Sequence, residues 1–514
     1  MSELPVPNPS DQPPTGVDPS VEPDAARWRR SIRVSGSGGG FVYRVGELIV
    51  DTDATDLVAQ LVGQPGLEGT TIDGSSLTLL TGIPGELGVA AAVRARGFRA
   101  QPNHVVFAAA GVHANPAMHA NPAMHANPAM HANPAMHANP AMHANPAMHA
   151  NPAMHANPAM HANLVLLANL LALANPAMHA NSGVGSCSCG CGCTPTRGCG
   201  VAETASADLA APPTLSSVEW TPEEPELWRG RQYSRPAVDS HVLVLDTGLA
   251  PDAIGGKISG VHARSKEAWG PTKKKLPPPK PDTDNRDPHD ANNDDWLDPV
   301  AGHGTFIAGI IARLAPGAEV AVGKVLENTG EGDDADIAFR INAVIQAGQR
   351  PDILVLSCSC YSENDNAPLG LASAVARIQA LGTVVVAAAG NDGSCRVTWP
   401  AALPGVISVG ALGPDGPAEF SNWGSWVKAC APGVDVVGSF YNGVDEHDDE
   451  NPKSSDFQGW ARWSGTSFAA PIVAAAIARE QSLYGISAVE AADRVVHDRR
   501  LYRIPGMGTV VNVH

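Results

Sequence analysis

Ser464-Gly465-Thr466-Ser467-Phe468-Ala469-Ala470-Pro471 places a serine between a turn of small residues and an alanine-rich apolar run over residues 472–478. Such a run reads as a buried helix, with Ser467 at its mouth. The free N–H groups and positive dipole end at a helix start can stabilise an anion forming on whatever the serine attacks. Acyl transfer needs such a stabiliser. A serine in this place also serves as an N-cap, so the rest of the chain has to decide between the two roles.

Outward from that stretch, residues 216–514 read as one globular unit. Apolar strands are expected at 241–245, 320–326, 353–357, 383–389 and 406–411, and helices at 304–314, 333–347 and 369–380. The helix at 333–347 carries apolar residues at 337, 341, 344 and 345. Strands alternating with helices predict an α/β fold, a parallel sheet with helices on both faces. In such sheets ligands bind beyond the carboxyl ends of the strands.

Polar residues collect at those ends. Asp246 closes the first strand in Leu245-Asp246-Thr247-Gly248, His303 stands in Gly302-His303-Gly304-Thr305 ahead of a helix, and Asn391 follows a Val/Ala strand in Ala389-Gly390-Asn391-Asp392-Gly393. Each alone reads as a turn, cap or core residue. Together with Ser467, each flanked by glycine that lets backbone approach a ligand, they make a set suited to nucleophilic catalysis.

The order Asp, His, Ser and the residues around each resemble the subtilisin-like serine proteases, whose use of that order is well known. The resemblance runs through Val244-Leu245-Asp246-Thr247-Gly248, Gly302-His303-Gly304-Thr305 and Gly465-Thr466-Ser467-Phe468-Ala469-Ala470-Pro471, with Trp399-Pro400-Ala401 and Ala431-Pro432-Gly433 in support. It implies that Ser467 attacks the scissile carbonyl of a polypeptide substrate, that His303 moves the proton, and that Asp246 orients the imidazole. It also implies that Asn391 and the Ser467 N–H hold the oxyanion, and that Ser357, Ser359 and Gly390 bind substrate. No cofactor is required on this reading. Calcium is admitted as an optional ligand because the family often binds it, and no metal ligand is assigned.

The chain departs from the family in places. Between Asp246 and His303 lies an insertion with Lys273-Lys274-Lys275, prolines at 277–279 and an acidic run over 282–298, read as a solvated loop with calcium as the alternative. Ser357-Cys358-Ser359-Cys360-Tyr361 stands where the family usually has glycines after the serine, which puts the depth of the primary specificity pocket in question. Phe306 replaces a histidine common at that position. A second acidic insertion, 445–456, precedes the nucleophile.

Upstream, residues 1–38 are rich in Pro, Ser, Gly and Asp and read as disordered. Residues 39–108 show strand, helix, strands, helix, strand, a small α+β domain. With the family in view this domain looks like its propeptide, a folding aid and inhibitor whose extended end resembles Gln101-Pro102-Asn103-His104-Val105. Over residues 109–181 an NPAMHA repeat sets asparagine every six residues from Asn115 to Asn181. Proline in nearly every copy denies a continuous helix, so the repeat reads as an extended tether. A six-residue solenoid and metal capture by its His and Met are the alternatives. Residues 182–215 form a Cys-rich linker with Cys187, Cys189, Cys191, Cys193 and Cys199, whose spacing lacks the pairing of a zinc site. The cleavage that would separate propeptide from enzyme is expected inside or beside this tether.

The totals narrow the class. A formal charge of −18, from 52 acidic and 34 basic residues, argues against nucleic acid as partner. The most apolar run before the globular unit, 164–174, is too short to span a bilayer. The start lacks an n-region and an h-region, and nine cysteines is an odd number. Both favour a cytoplasmic location, with export by another route left open. The expectation is a serine endopeptidase restrained by its own N-terminal domain. Two other readings stay open: a repeat-based metal-binding protein whose protease domain serves its maturation, and a protease dedicated to maturing one peptide.

Overall fold

The computed structural model describes residues 32–35, 40–109 except 73, 216–217, 240–250, the pairs 265–266, 268–269 and 274–275, then 285–291, 297–444 except 317, and 457–511. The repeat at 115–181, the cysteine cluster at 187–199, the prolines at 277–279 and the insertion at 445–456 lie outside the described residues.

The N-terminal unit begins earlier than the composition suggests. β1 (Ile32–Ser35) pairs antiparallel with β2 (Phe41–Asp51), with Ile32 opposite Arg44. The leader over 1–38 is therefore not unstructured throughout. The cause is local: Ile32 packs against the buried Phe41, Val42 and Tyr43, which offsets the ordering of a short segment. The chain continues through α1 (Thr55–Val62), β3 (Gly69–Ile72), β4 (Leu77–Leu80), α2 (Glu86–Arg94) and β5 (Ala100–Ala108). β2 runs between β4 and β5 in the sheet.

Strand alternation splits the apolar residues of β2 between two cores. Leu48 and Val50 pack with Val58, Ala90 and Val93 of the two helices. Ile49 faces the other way. With Ile72, Leu77 and Val106 it enters a cluster made mostly of residues from the larger unit. Each such side chain, fully buried, contributes about 1.5–3 kcal/mol.

The larger unit is built on β7 (Ser240–Asp246), β11 (Ala318–Lys324), β13 (Ile353–Leu356), β15 (Val384–Ala388), β16 (Ile407–Gly413) and β18 (Ala429–Pro432). They are mutually parallel, in the order β11, β7, β13, β15, β16, β18. Here too alternation decides the layers. Val242 and Val244 face α3 (His303–Leu314) and α6 (Thr466–Tyr484), through Ile307, Ile310, Val473 and Ile477. Leu243 and Leu245 face α4 (Asp334–Gln346) and α5 (Leu369–Gln379), through Ile337, Ile341, Leu371 and Val375. A sheet covered on both faces is the expected fold, and the small antiparallel unit sits beside it.

β19 (Val436–Val444) and β20 (Phe457–Trp463), joined by β6 (Ser216–Ser217), pair antiparallel on either side of the acidic insertion at 445–456, strands that the sequence reading did not anticipate. The acidic run at 282–298 also differs from its reading. Among its described residues Asn285, Asp287 and Asp298 are buried, because they accept protein donors rather than facing water: Asn285 the Lys324 N–H, Asp287 the Thr247 hydroxyl and the Gly302 N–H, and Asp298 the Ala291 N–H.

The two units share a sheet. β12 (Glu331–Asp333) and β14 (Cys358–Ser359), both from the larger unit, pair antiparallel with opposite edges of β5. The last strand of the N-terminal unit therefore lies between two strands at the carboxyl end of the parallel sheet.

Candidate active site

Asp246 ends β7, between β11 and β13 in the parallel sheet, and is fully buried. Its Oδ1 accepts the Thr247 N–H at 2.8 Å and stands 2.6 Å from Nδ1 of His303. His303 opens α3 because Gly302, at φ 80°, turns the chain into the helix. Gly304 has to be glycine: a Cβ there would lie 2.3 Å from the carbonyl oxygen of Gly248. That close approach locks the aspartate turn against the histidine helix. Edge-on contacts from Trp463 and Phe468, at 5.5 and 5.4 Å between centroids, hold the imidazole from the sides. Phe306 extends the same aromatic group, 4.6 Å from Phe468. Nε2 of His303 is buried with no hydrogen-bond partner among the described residues.

Ser467 lies in the first turn of α6. Its hydroxyl donates to the Ser357 carbonyl at 3.0 Å, and the Ser357 hydroxyl donates to the Ser467 carbonyl at the same distance. The second bond has a cause four residues on. Pro471 has no N–H, so the Ser467 carbonyl loses its helical donor and takes a side chain instead. Asn391 follows β15. Its Oδ1 accepts both the N–H and the hydroxyl of Thr466, each at 2.9 Å, while its Nδ2 is buried and unpartnered among the described residues. Gly390 donates its N–H to the same Thr466 hydroxyl at 3.1 Å.

The structure thus brings Asp246, His303, Asn391, Ser467, Ser357, Ser359 and Gly390 to one rim of the sheet. The sequence missed two participants. Asp287 accepts the Thr247 hydroxyl at 2.6 Å and the Gly302 N–H at 2.9 Å, so one carboxylate oxygen ties the residue after Asp246 to the residue before His303. Burial, with the charge of Asp246 adding to it, pushes the Asp287 carboxyl up to about 7, against the pull of Lys324 and its two donors. In the sequence it was one carboxylate among many in an acidic run.

The other is Ala109, which the sequence assigned to the repeat. Its carbonyl oxygen accepts the Ser467 N–H at 3.0 Å, and its own N–H donates to the Ser357 carbonyl at 3.0 Å. Behind it, Ala108 faces Cys358 and Phe107 faces Ser359 on one side, while Phe107 and Val106 face Glu331 and Gly332 on the other.

Side chains of the N-terminal unit also satisfy helix starts of the larger one. Asn103 accepts the N–H of Ala335 in α4 at 3.1 Å, and Gln101 accepts that of Leu369 in α5 at 3.1 Å. Arg94 grips Glu363 with two bonds of 2.8 and 3.0 Å, and Arg44 meets Asp333 at 3.2 Å in a nearly closed pair. Burial opposes the charge on Arg44, but the carboxylates of Asp333, Glu331 and Glu47 outweigh it and leave its basicity raised.

No described part of the acidic run makes a calcium site. Asp287 and Asp298 accept protein donors, and among the described residues no group of three or more His, Cys, Asp or Glu could hold a metal.

Residues 239–498 match the subtilase family. The "Thermophilic serine proteinase" of Bacillus sp. (strain AK1) is 30% identical over 331 residues, 59% of this chain and 69% of that protein. The "Thermostable alkaline protease" of Halalkalibacterium halodurans is 34% identical over 193 residues, 36% of this chain and 48% of its own length. Among solved structures, a mutant of the protease domain of PatA is similar at 24% identity and a TM-score of 0.42, over 55% of this chain and 95% of that one. The chain belongs to the subtilase family, and it is a serine protease.

Proposed function

We propose that this chain is an endopeptidase held in check by its own N-terminal domain, and that it cuts itself after Ala109. The hydrogen bond from the Ser467 N–H to the Ala109 carbonyl carries this reading. It sets the nucleophile's own N–H, an oxyanion donor, on the Ala109 carbonyl oxygen, in a chain already paired on both edges.

In the proposed reaction the Ser467 hydroxyl turns from the Ser357 carbonyl toward Nε2 of His303, a rotation about one side-chain bond. Oγ attacks the Ala109 carbonyl carbon as Nε2 takes its proton. Asp246 keeps the Nδ1–H tautomer and stabilises the imidazolium. The oxyanion is held by the Ser467 N–H and by Nδ2 of Asn391, whose orientation Thr466 fixes through Oδ1. Collapse breaks the Ala109–Ala110 bond. The proton on Nε2 passes to the Ala110 amine and the acyl group stays on Oγ. Water, deprotonated by His303, then releases Ala109 as a carboxylate and restores the serine.

Restraint follows from position. β5 occupies the edges of β12 and β14, where an extended substrate would pair. Calcium has no step in this scheme.

N-terminal sequencing of the purified full chain tests the proposal. The wild type should yield a fragment that begins at Ala110, and Ser467→Ala should remain intact and refuse a serine-directed fluorophosphonate. A wild-type chain that hydrolyses protein while still joined across residues 109 and 110 would overturn it.

A further inference from the structure

Three successive backbone N–H groups fix where the His303 side chain starts. His303 itself donates to the Val300 carbonyl at 3.2 Å, within its own turn. The groups on either side reach across to other parts of the chain. Gly302 donates to Oδ2 of Asp287 at 2.9 Å, and Gly304 donates to the Thr247 hydroxyl at 3.0 Å. The N–H groups of a first helical turn have no partner inside their own helix, so these two partners define how α3 meets the rest of the site. The Thr247 hydroxyl, having accepted from Gly304, donates in turn to the same Oδ2 at 2.6 Å. One oxygen atom therefore holds the backbone both before and after the imidazole.

The bonds close a ring. The Thr247 N–H donates to Oδ1 of Asp246 at 2.8 Å, and that oxygen stands 2.6 Å from Nδ1 of His303. A path runs from Asp246 through Thr247, Asp287 and Gly302 to His303 and back to Asp246. Asp287 is anchored from outside the ring. Its N–H donates to the Leu249 carbonyl at 3.0 Å, its carbonyl accepts the Tyr441 hydroxyl from β19 at 2.7 Å, and its side chain is fully buried.

We infer that Asp287 is a positioning residue for proteolysis: through the backbone on both sides of His303 it sets the imidazole against Asp246 and in line with Ser467. The inference rests on the Asp246, His303 and Ser467 reaction proposed above. Catalytic groups have to be held within about half an ångström of their working geometry, and a misplacement of about 1 Å can cost a hundredfold in rate. Without the carboxylate, the Thr247 hydroxyl is free to turn and the Gly302 N–H loses its acceptor. The imidazole then loses its fixed starting point, while the edges of β12 and β14 stay as they are. The loss therefore falls on the chemical step and spares the binding of an extended chain.

Peptide hydrolysis by the full-length protein tests this, with Val-Val-Phe-Ala-Ala-Ala-Gly-Val from residues 105–112 as substrate. Rates are divided by the number of sites that a serine-directed fluorophosphonate labels. Asp287→Ala should lower kcat about ten- to hundredfold and leave KM within about twofold of wild type. Asp287→Asn should recover most of kcat, because its side-chain carbonyl can accept the same two donors. Ile341→Val, buried against the other face of the sheet, lowers stability without touching the ring and should keep kcat. Three results would each overturn the positioning role alone: wild-type kcat in Asp287→Ala, a loss in Asp287→Asn as large as in Asp287→Ala, or an equal loss in Ile341→Val. A wild type that neither labels nor cuts the peptide overturns the underlying reaction instead. Should Asp287→Ala fail to fold or label, Thr247→Val, which breaks the ring at the hydroxyl with little change in size, takes its place. A loss in kcat of about tenfold or more then supports the role, and wild-type kcat overturns it.

Discussion

His104, on the last strand of the N-terminal unit, accepts the backbone N–H of Glu363 through Nε2 at 3.2 Å, with its ring fully buried between the two units. Phe41 covers the ring, and the charged pair of Arg94 and Glu363 lies alongside. Burial first, and then the charge of Arg94, lower the His104 imidazole to about 3 from an ordinary 6.5.

This gives the docked state a pH window. The ring is neutral when buried, and an undocked or unfolded chain takes up a proton once pH falls below about 6.5. Docking is therefore complete above that value and is weakened progressively as pH falls from about 6.5 toward 3, by about 2 kcal/mol at pH 5. Between pH 7.5 and 5 the melting temperature of the uncut Ser467→Ala chain should fall relative to that of the same chain carrying His104→Gln, because the amide keeps an acceptor for Glu363 without titrating. Parallel curves for the two proteins would remove His104 as the cause.

Asp287 makes a prediction of opposite sign. Its carboxyl is raised by burial to about 7, so the folded state keeps a proton that an unfolded chain gives up near 4. The stability it lends is present below about 4 and is lost as pH rises toward 7. Asp287→Asn should hold the fold and flatten this limb of the stability profile. Asp287→Ala leaves the Thr247 hydroxyl and the Gly302 N–H without their acceptor, at a cost of about 1–3 kcal/mol. Melting curves across pH 4 to 8 measure both, and an Asp287→Asn profile identical to wild type would count against the raised value.

Asn391→Ala should lower kcat by about 10²–10³ with KM little changed, a size known from the corresponding loss in subtilisin, a member of this family, rather than derived from this chain. The substitution also removes the acceptor of Thr466, so melting temperature has to be read beside the kinetics. A change confined to KM would mean that Asn391 binds substrate without stabilising the transition state.

The parallel sheet was legible because its strands carry valine and leucine on both faces, and the polar groups at their ends stood out against that background. The glycines around Asp246 and His303 were legible for the same reason. Other features depend on contacts between distant segments and leave no local pattern. Nothing near Ala109 marks it as the residue on Ser467, since it is the middle one of three alanines, 108–110, that differ only in position. Asp287 looks like its acidic neighbours until the chain folds over Gly302. The strand at Ile32 was lost in a composition dominated by its flanks, because four residues are too few to register a period. The role of Pro471 appears only once the helix exists, when its missing N–H frees the Ser467 carbonyl for Ser357.

Because the proposed cut falls directly behind Ala109, it would leave residues 110–215 on the protease and none of them on the departing domain. Before the cut, domain and protease are one chain, so docking is intramolecular and does not depend on protein concentration. Afterwards it holds on only through its own affinity, so dilution alone would favour release, and a crowded or confined compartment would keep the same cleaved enzyme silent.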